Sequence, residues 1–125
     1  MKILLCLFWL ACANDATPSS QSTNPLEMSV QDLYPISKDA LIIDVRTPGE
    51  FQSGHVPGAR HIPLDSLKAQ LPNLSTDQDQ AVYFICASGV RSAKAAQMAQ
   101  AHGYTKAINI KDGTYGWRAA GFPLE

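Results

Sequence analysis

A thiol and a guanidinium, Cys86 and Arg91, stand five positions apart, with Ala87, Ser88, Gly89 and Val90 between them. A free thiol with a pKa near about 8.5 is mostly protonated at neutral pH, and reactive cysteines are lowered to about 3.5–7.5. Lowering by two units requires about 2.7 kcal/mol of preferential thiolate stabilisation. A helix N-terminus supplies about 0.3–2 kcal/mol, so loop N–H groups and a nearby cation must add to it. The spacing offers both. The apolar run 81–85 reads as a buried strand, and the Ala-rich stretch after it as a helix from about Arg91 to His102. A tight loop between strand and helix turns successive N–H groups toward a common point and adds the unsatisfied donors of the helix end. This is a nest for an anion with a thiol at its first position. A positive charge in a first helical turn is normally unfavourable, which gives Arg91 a reason to hold a substrate anion or to brace the loop against a carboxylate such as Asp44.

The cysteine count depends on what happens to the N-terminus. Met1-Lys2, the apolar run 3–11 and the Ala11-Cys12-Ala13 site have the form of a secretory signal, 1–13, too short to span a bilayer. Leu10-Ala11-Cys12 also resembles the end of a bacterial lipobox, with a signal of 1–11 and acylation of Cys12 as a lipid anchor. Cleavage after Ala13 and acylation of Cys12 both stay open. Either way an exported, periplasmic domain is expected, soluble or lipid-anchored, in which Cys86 is the one remaining thiol. Structural cysteines in an oxidising compartment usually pair, and an unpaired one is a candidate reactive thiol. Free Cys is also among the most buried residue types, so the count alone does not decide.

A chain of 125 residues holds one domain with one core. A formal charge of −1 gives no basic field of the kind that nucleic-acid binding needs. The segment 14–27 is polar and Pro/Ser/Thr-rich and reads as a linker, leaving 28–125 as the folded domain. Ser29 is expected to cap a short helix through Tyr34, ended by Pro35. Leu41-Ile42-Ile43-Asp44-Val45 is an apolar strand apart from its Asp, the pattern of a sheet covered on both faces. Thr47-Pro48-Gly49-Glu50 is a capping box with Pro at the first helical position, and Gly54 ends that helix. A short strand near 59–62, a weak helix over 64–71 and a polar loop over 73–80 follow. Gly103 caps the long helix, 107–110 forms another strand, and Asp112-Gly113 turns into a helix over 114–120 capped by Gly121. Strands alternating with helices predict an α/β domain with a mainly parallel central sheet flanked by helices on both faces. Ligands in such sheets bind at the carboxyl ends of strands, where Cys86 falls.

Four stretches in order, Asp44-Val45-Arg46-Thr47-Pro48-Gly49-Glu50-Phe51, Gly54-His55-Val56-Pro57-Gly58-Ala59 with His61-Ile62-Pro63, Cys86-Ala87-Ser88-Gly89-Val90-Arg91, and Asp112-Gly113-Thr114-Tyr115-Gly116-Trp117, resemble the signatures of a rhodanese domain. One departure is Asp112, where many members have the first of two glycines. The resemblance implies a single-domain thiosulfate sulfurtransferase. Cys86 would be the catalytic nucleophile and persulfide site, and Ala87, Ser88, Gly89, Val90 and Arg91 the substrate-binding cradle. The implied partners are a small sulfur-donor anion and a thiophilic acceptor such as cyanide, a thiol or a protein thiol, with no cofactor and no metal. Arg91 would hold the oxyanion end of the donor.

Other residues are read as support. Asp44 is a charge on an apolar strand, costly unless paired, and serves as a structural brace. Arg46 and Glu50 are expected to pair across the helix start. His55 and His61 have acid–base chemistry, but the transfer needs little proton movement, and the resemblance makes the first structural. His102 complements a helix C-terminus, and Tyr115 and Trp117 are expected in the core, with lining of the substrate mouth as the alternative. Two rival functions remain. A non-enzymatic persulfide carrier or sulfur-delivery module needs the same activated thiol. A dual-specificity phosphatase or arsenate reductase shares the fold, but the phosphatases carry five residues between Cys and Arg, and this chain has four.

Overall fold

The computed structural model describes residues 25–125, in which five parallel strands form one sheet. In chain order the elements are β1 (Leu26–Met28), α1 (Val30–Leu33), β2 (Leu41–Asp44), α2 (Pro48–Gln52), β3 (Arg60–His61), α3 (Leu64–Gln70), β4 (Val82–Ile85), α4 (Val90–His102), β5 (Ala107–Ile110) and α5 (Gly113–Ala119). The sheet order is β1-β5-β4-β2-β3, and every pairing is parallel. The chain leaves β2 toward β3 and leaves β4 in the opposite direction toward β5. Direction therefore reverses between two neighbouring strands, and their carboxyl ends frame a crevice.

Period-two alternation sends the strand side chains to two cores. Ile43, Val45, Val82, Phe84 and Cys86 face α3 and α4, while Ile42, Tyr83, Ile85, Ile108 and Ile110 face α1 and α5. Ala95, Ala96 and Ala99 are fully buried, so α4 lies close on the sheet with no bulky side chain to hold it off. On the other face Trp117 is fully buried, packs edge-on to Phe122 and donates its Nε1–H to the Pro123 carbonyl at 2.7 Å. Full burial of a side chain such as Phe84 or Ile85 contributes about 1.5–3 kcal/mol.

Local signals explain most boundaries. Thr47 caps α2, accepting from Glu50 N–H, while the Glu50 carboxylate returns to Thr47 N–H. Gly103, with φ of +116°, closes α4. Two expectations need correction. The linker read over 14–27 ends sooner, because Leu26 and Glu27 already belong to β1, paired with Ile108 and Asn109 of β5. Pro35 does not end the first helical segment either: Ser29 caps α1 through Asp32 N–H, and the chain continues as a 3-10 helix over Tyr34–Asp39. Proline is tolerated at the first turn of this tighter helix. The signal reading over 1–13, Cys6, Cys12 and most of the linker lie outside the described residues. Among the described residues no helix is long and apolar enough to cross a membrane.

Candidate active site

Cys86 follows β4 directly and is 1% exposed. It is the one free cysteine among the described residues. Its Sγ accepts from Gly89 N–H at 3.1 Å and Ser92 N–H at 3.4 Å, and the Ser92 hydroxyl stands 3.3 Å away. Gly89, with φ of +96°, is the N-cap of α4, and a Cβ there would overlap the Lys111 carbonyl. Behind the loop, α5 donates Thr114 N–H to the Cys86 carbonyl at 2.8 Å and Tyr115 N–H to the Ala87 carbonyl at 3.0 Å. With those carbonyls satisfied at the back, the N–H groups of Gly89 and Ser92 face the sulfur. Gly113, with φ of +63°, makes the apposition possible, since a Cβ there would overlap the Ala87 carbonyl.

Burial pushes the Cys86 thiol up, but the Ser92 hydroxyl and the N–H groups of Ser92, Gly89 and Ser88 all favour the thiolate, and the balance lies below the ordinary thiol value. The cradle therefore works chiefly through hydrogen bonds to the charged form.

The two ion pairs of the site are arranged differently from the expected one. Arg46 turns inward to Asp44, with Nε at 2.9 Å from Oδ1 and Nη2 at 2.7 Å from Oδ2, and also donates to the Gly54 carbonyl at 2.9 Å. Asp44 is fully buried and Arg46 is 3% exposed. A buried carboxylate needs its counter-ion more than a half-exposed one does, which is why Asp44 rather than Glu50 takes Arg46. Glu50 instead holds Arg91 in a two-pronged pair, Oε1 to Nη1 at 2.7 Å and Oε2 to Nη2 at 2.9 Å. Arg91 thus braces the loop against Glu50, not Asp44. The Arg91 hydrogen bonds, opposed by partial burial and helped by Thr47, hold the Glu50 carboxyl down at about 2. Glu50 in turn, with smaller contributions from Cys86 and Asp44, raises Arg91 above its ordinary value against the effect of burial.

The remaining candidates separate by exposure. Ala87 is buried, while Ser88 and Val90 are exposed at the mouth, Val90 at 75%. Tyr115, expected in the core, is 65% exposed and lines a shallow hollow with Ser88, Lys111 and Asp112. The buried face of α5 is taken by Thr114 and Trp117, which leaves Tyr115 outward. His55 donates Nδ1–H to the Phe51 carbonyl at 3.0 Å, His61 donates Nε2–H to the Arg46 carbonyl at 2.8 Å, and both rings stack on Phe51. These contacts shape the loop after β2. Asp112 adopts φ of −91°, so its turn does not require glycine, and its carboxylate accepts from Val30 N–H at 3.4 Å. A second concavity of about 720 Å³ lies beside the site, with Arg46, Arg91, Lys68 and Lys94 around an apolar lining that includes Leu64 and Met98.

Sequence reasoning missed Ser92, Asn109 and Glu27. The Ser92 hydroxyl lies 2.6 Å from Asn109 Oδ1, and Asn109 Nδ2–H donates to Glu27 Oε2 at 3.1 Å. The signal was present in Asn109, a polar residue inside an apolar strand that, like Asp44, has to find a buried partner.

The Rhodanese-like domain family model matches residues 29–120. The chain is 44% identical over 80 residues to the uncharacterized protein YqhL of Bacillus subtilis, covering 64% of this chain and 62% of that protein. It is 31% identical over 88 residues to a sulfurtransferase of Allochromatium vinosum, covering 70% of this chain and 80% of that one. Among solved structures, a rhodanese-related protein from Thermoplasma volcanium superposes with a TM-score of 0.72 at 27% identity, covering 80% of this chain and 97% of its own.

Proposed function

This chain belongs to the rhodanese-like domain family, and from that premise we propose that it is a thiosulfate-type sulfurtransferase working through a persulfide on Cys86. The family and the sulfurtransferase relative support sulfur transfer in general. The observation that carries the specific reading is the pair of backbone donors on the Cys86 sulfur, Gly89 N–H at 3.1 Å and Ser92 N–H at 3.4 Å, over a thiol lowered below its ordinary value.

The steps balance without a redox partner. The Cys86 thiolate attacks the outer sulfur of thiosulfate, forming a new S–S bond. The donor S–S bond breaks, and sulfite leaves with the bonding pair. The charge now sits on the outer sulfur of the persulfide. A nucleophilic acceptor such as cyanide or a thiolate then attacks that outer sulfur, and Cys86 leaves as thiolate. The cradle serves both half-reactions because the first begins and the second ends with an anionic Cys86 sulfur, held by the same donors. Arg91, already paired with Glu50, offers its remaining N–H groups and a partly compensated charge to the donor's oxyanion end.

Mass spectrometry of protein mixed with thiosulfate tests the reading. The chain should gain one sulfur atom on Cys86 and release thiocyanate over many turnovers when cyanide is added. No gain, or a gain that survives Cys86→Ser, overturns the mechanism. Loading without repeated turnover assigns the protein to the carrier class instead, and hydrolysis of an aryl phosphate without loading assigns it to the phosphatases.

A further inference from the structure

The Ser92 hydroxyl has one proton and faces two acceptors. Its oxygen lies 2.6 Å from Asn109 Oδ1 and 3.3 Å from Cys86 Sγ. Ser92 is fully buried and Asn109 is 1% exposed, so neither group has bulk water to fall back on. A hydroxyl donates once and accepts twice. When Cys86 is a thiol, both needs are met: S–H donates to Ser92 Oγ, and O–H donates to Asn109 Oδ1. When Cys86 is a thiolate, sulfur and amide oxygen compete for the same proton, and one of them loses.

The far end of the chain of bonds decides which face Asn109 presents. A carboxylate can only accept, so Glu27 fixes the Nδ2–H side of the amide toward itself at 3.1 Å and leaves Oδ1 for Ser92. The two residues are direct partners in the β1–β5 pairing. We propose that Glu27 and Asn109 are positioning residues that act on Cys86 through Ser92, holding its hydroxyl on the amide and so disfavouring the free thiolate. This rests on Cys86 being the reacting thiol. Once sulfur is loaded, the charge moves to the outer sulfur, Sγ no longer needs the proton, and the Ser92–Asn109 bond is restored. The pair therefore favours the loaded enzyme over the free thiolate and sets how readily the thiolate reacts.

The other charged groups around Cys86 are Arg91 of α4, paired with Glu50 of α2, the Asp44–Arg46 pair at the end of β2, and Lys111 and Asp112 on the turn behind the loop. Glu27 is in no ion pair with any of them and lies at an exposed position.

The test is the pH dependence of Cys86 alkylation by iodoacetamide, which reads thiolate without any sulfur donor. Glu27→Lys places a pure donor beside the amide, so Asn109 turns its Oδ1 to the lysine and its Nδ2–H to Ser92 Oγ. The Ser92 proton is then released to the sulfur, and the alkylation midpoint falls by about one pH unit, a roughly tenfold gain in thiolate below the midpoint. Reversing a charge also acts through space, so the same change is made in a Ser92→Ala background, where the shift should shrink to less than half. Glu27→Gln keeps an acceptor for Nδ2–H and should leave the midpoint close to that of the unaltered protein. No shift with Glu27→Lys, or a shift at least half as large without Ser92, overturns the proposal. If the shift appears as expected while thiosulfate loads no sulfur, the positioning role stands and the proposed reaction falls.

Discussion

Arg91 and Glu50 meet as two parallel hydrogen bonds, Nη1 to Oε1 at 2.7 Å and Nη2 to Oε2 at 2.9 Å, across 41 positions of sequence. Each side chain is a little over one third exposed. The same Glu50 carboxylate closes the capping box of α2 through Thr47 N–H. One residue thus caps the start of a helix, ties that helix to α4 and fixes the cation at the first turn after the candidate nucleophile's loop. A lysine at 91 would keep the charge but lose the planar fork.

Acid should reveal this clamp. The Glu50 carboxyl is held at about 2, below its ordinary 4.5. A depressed carboxylate contributes stability in full above the unfolded value and loses it as pH falls toward the folded value. Glu50→Gln should therefore flatten the loss of stability between about pH 4.5 and 2 in urea unfolding. Solvent screening limits the difference at neutral pH to about 1 kcal/mol. Identical acid slopes for the two proteins would show that the clamp contributes nothing.

Cys86 gives the opposite end of the pH scale. Its thiol is lowered in the fold below the ordinary thiol value, so between its folded and its unfolded values the native state binds fewer protons than the unfolded one. Stability conferred by Cys86 should rise with pH through that window and be lost as pH falls through the folded value. Comparison with Cys86→Ser by chemical unfolding at several pH values measures it. A difference between the two that stays constant with pH would mean the thiol is not lowered.

Gly89→Ala should damage the site more than its size suggests. The new Cβ would overlap the Lys111 carbonyl, and φ is +96°, where side chains are strained. Strain of this kind costs about 1–3 kcal/mol. Relief requires the loop to lift, which withdraws the Gly89 N–H from the sulfur. Thermal unfolding should move down, and iodoacetamide alkylation at neutral pH should slow. Gly49→Ala, with open space around its position, is the control for the substitution itself.

Much of this architecture is legible in residue order because it is local. The capping box, the positive-φ glycines and the apolar strands each declare themselves within a few positions, and Cys86 stands out at the end of an apolar run. What escapes is what the tertiary fold decides. Arg46 could reach Asp44 or Glu50 by spacing alone, and burial of Asp44 settles the choice. Tyr115 and Trp117 lie two apart on α5, and only the sheet determines which of them is inside. β1 is three residues long, with only Leu26 and Met28 apolar, and becomes a strand because β5 offers it a partner.

That edge strand has a practical consequence for anyone cutting out the domain. The family match begins at residue 29, after β1 has ended. A fragment trimmed to that boundary would turn β5 from an interior strand into an edge, baring a row of backbone donors and acceptors to other chains. The same cut would sever Glu27 from Asn109, leaving a protein that keeps its cysteine and its loop but has a differently tuned sulfur.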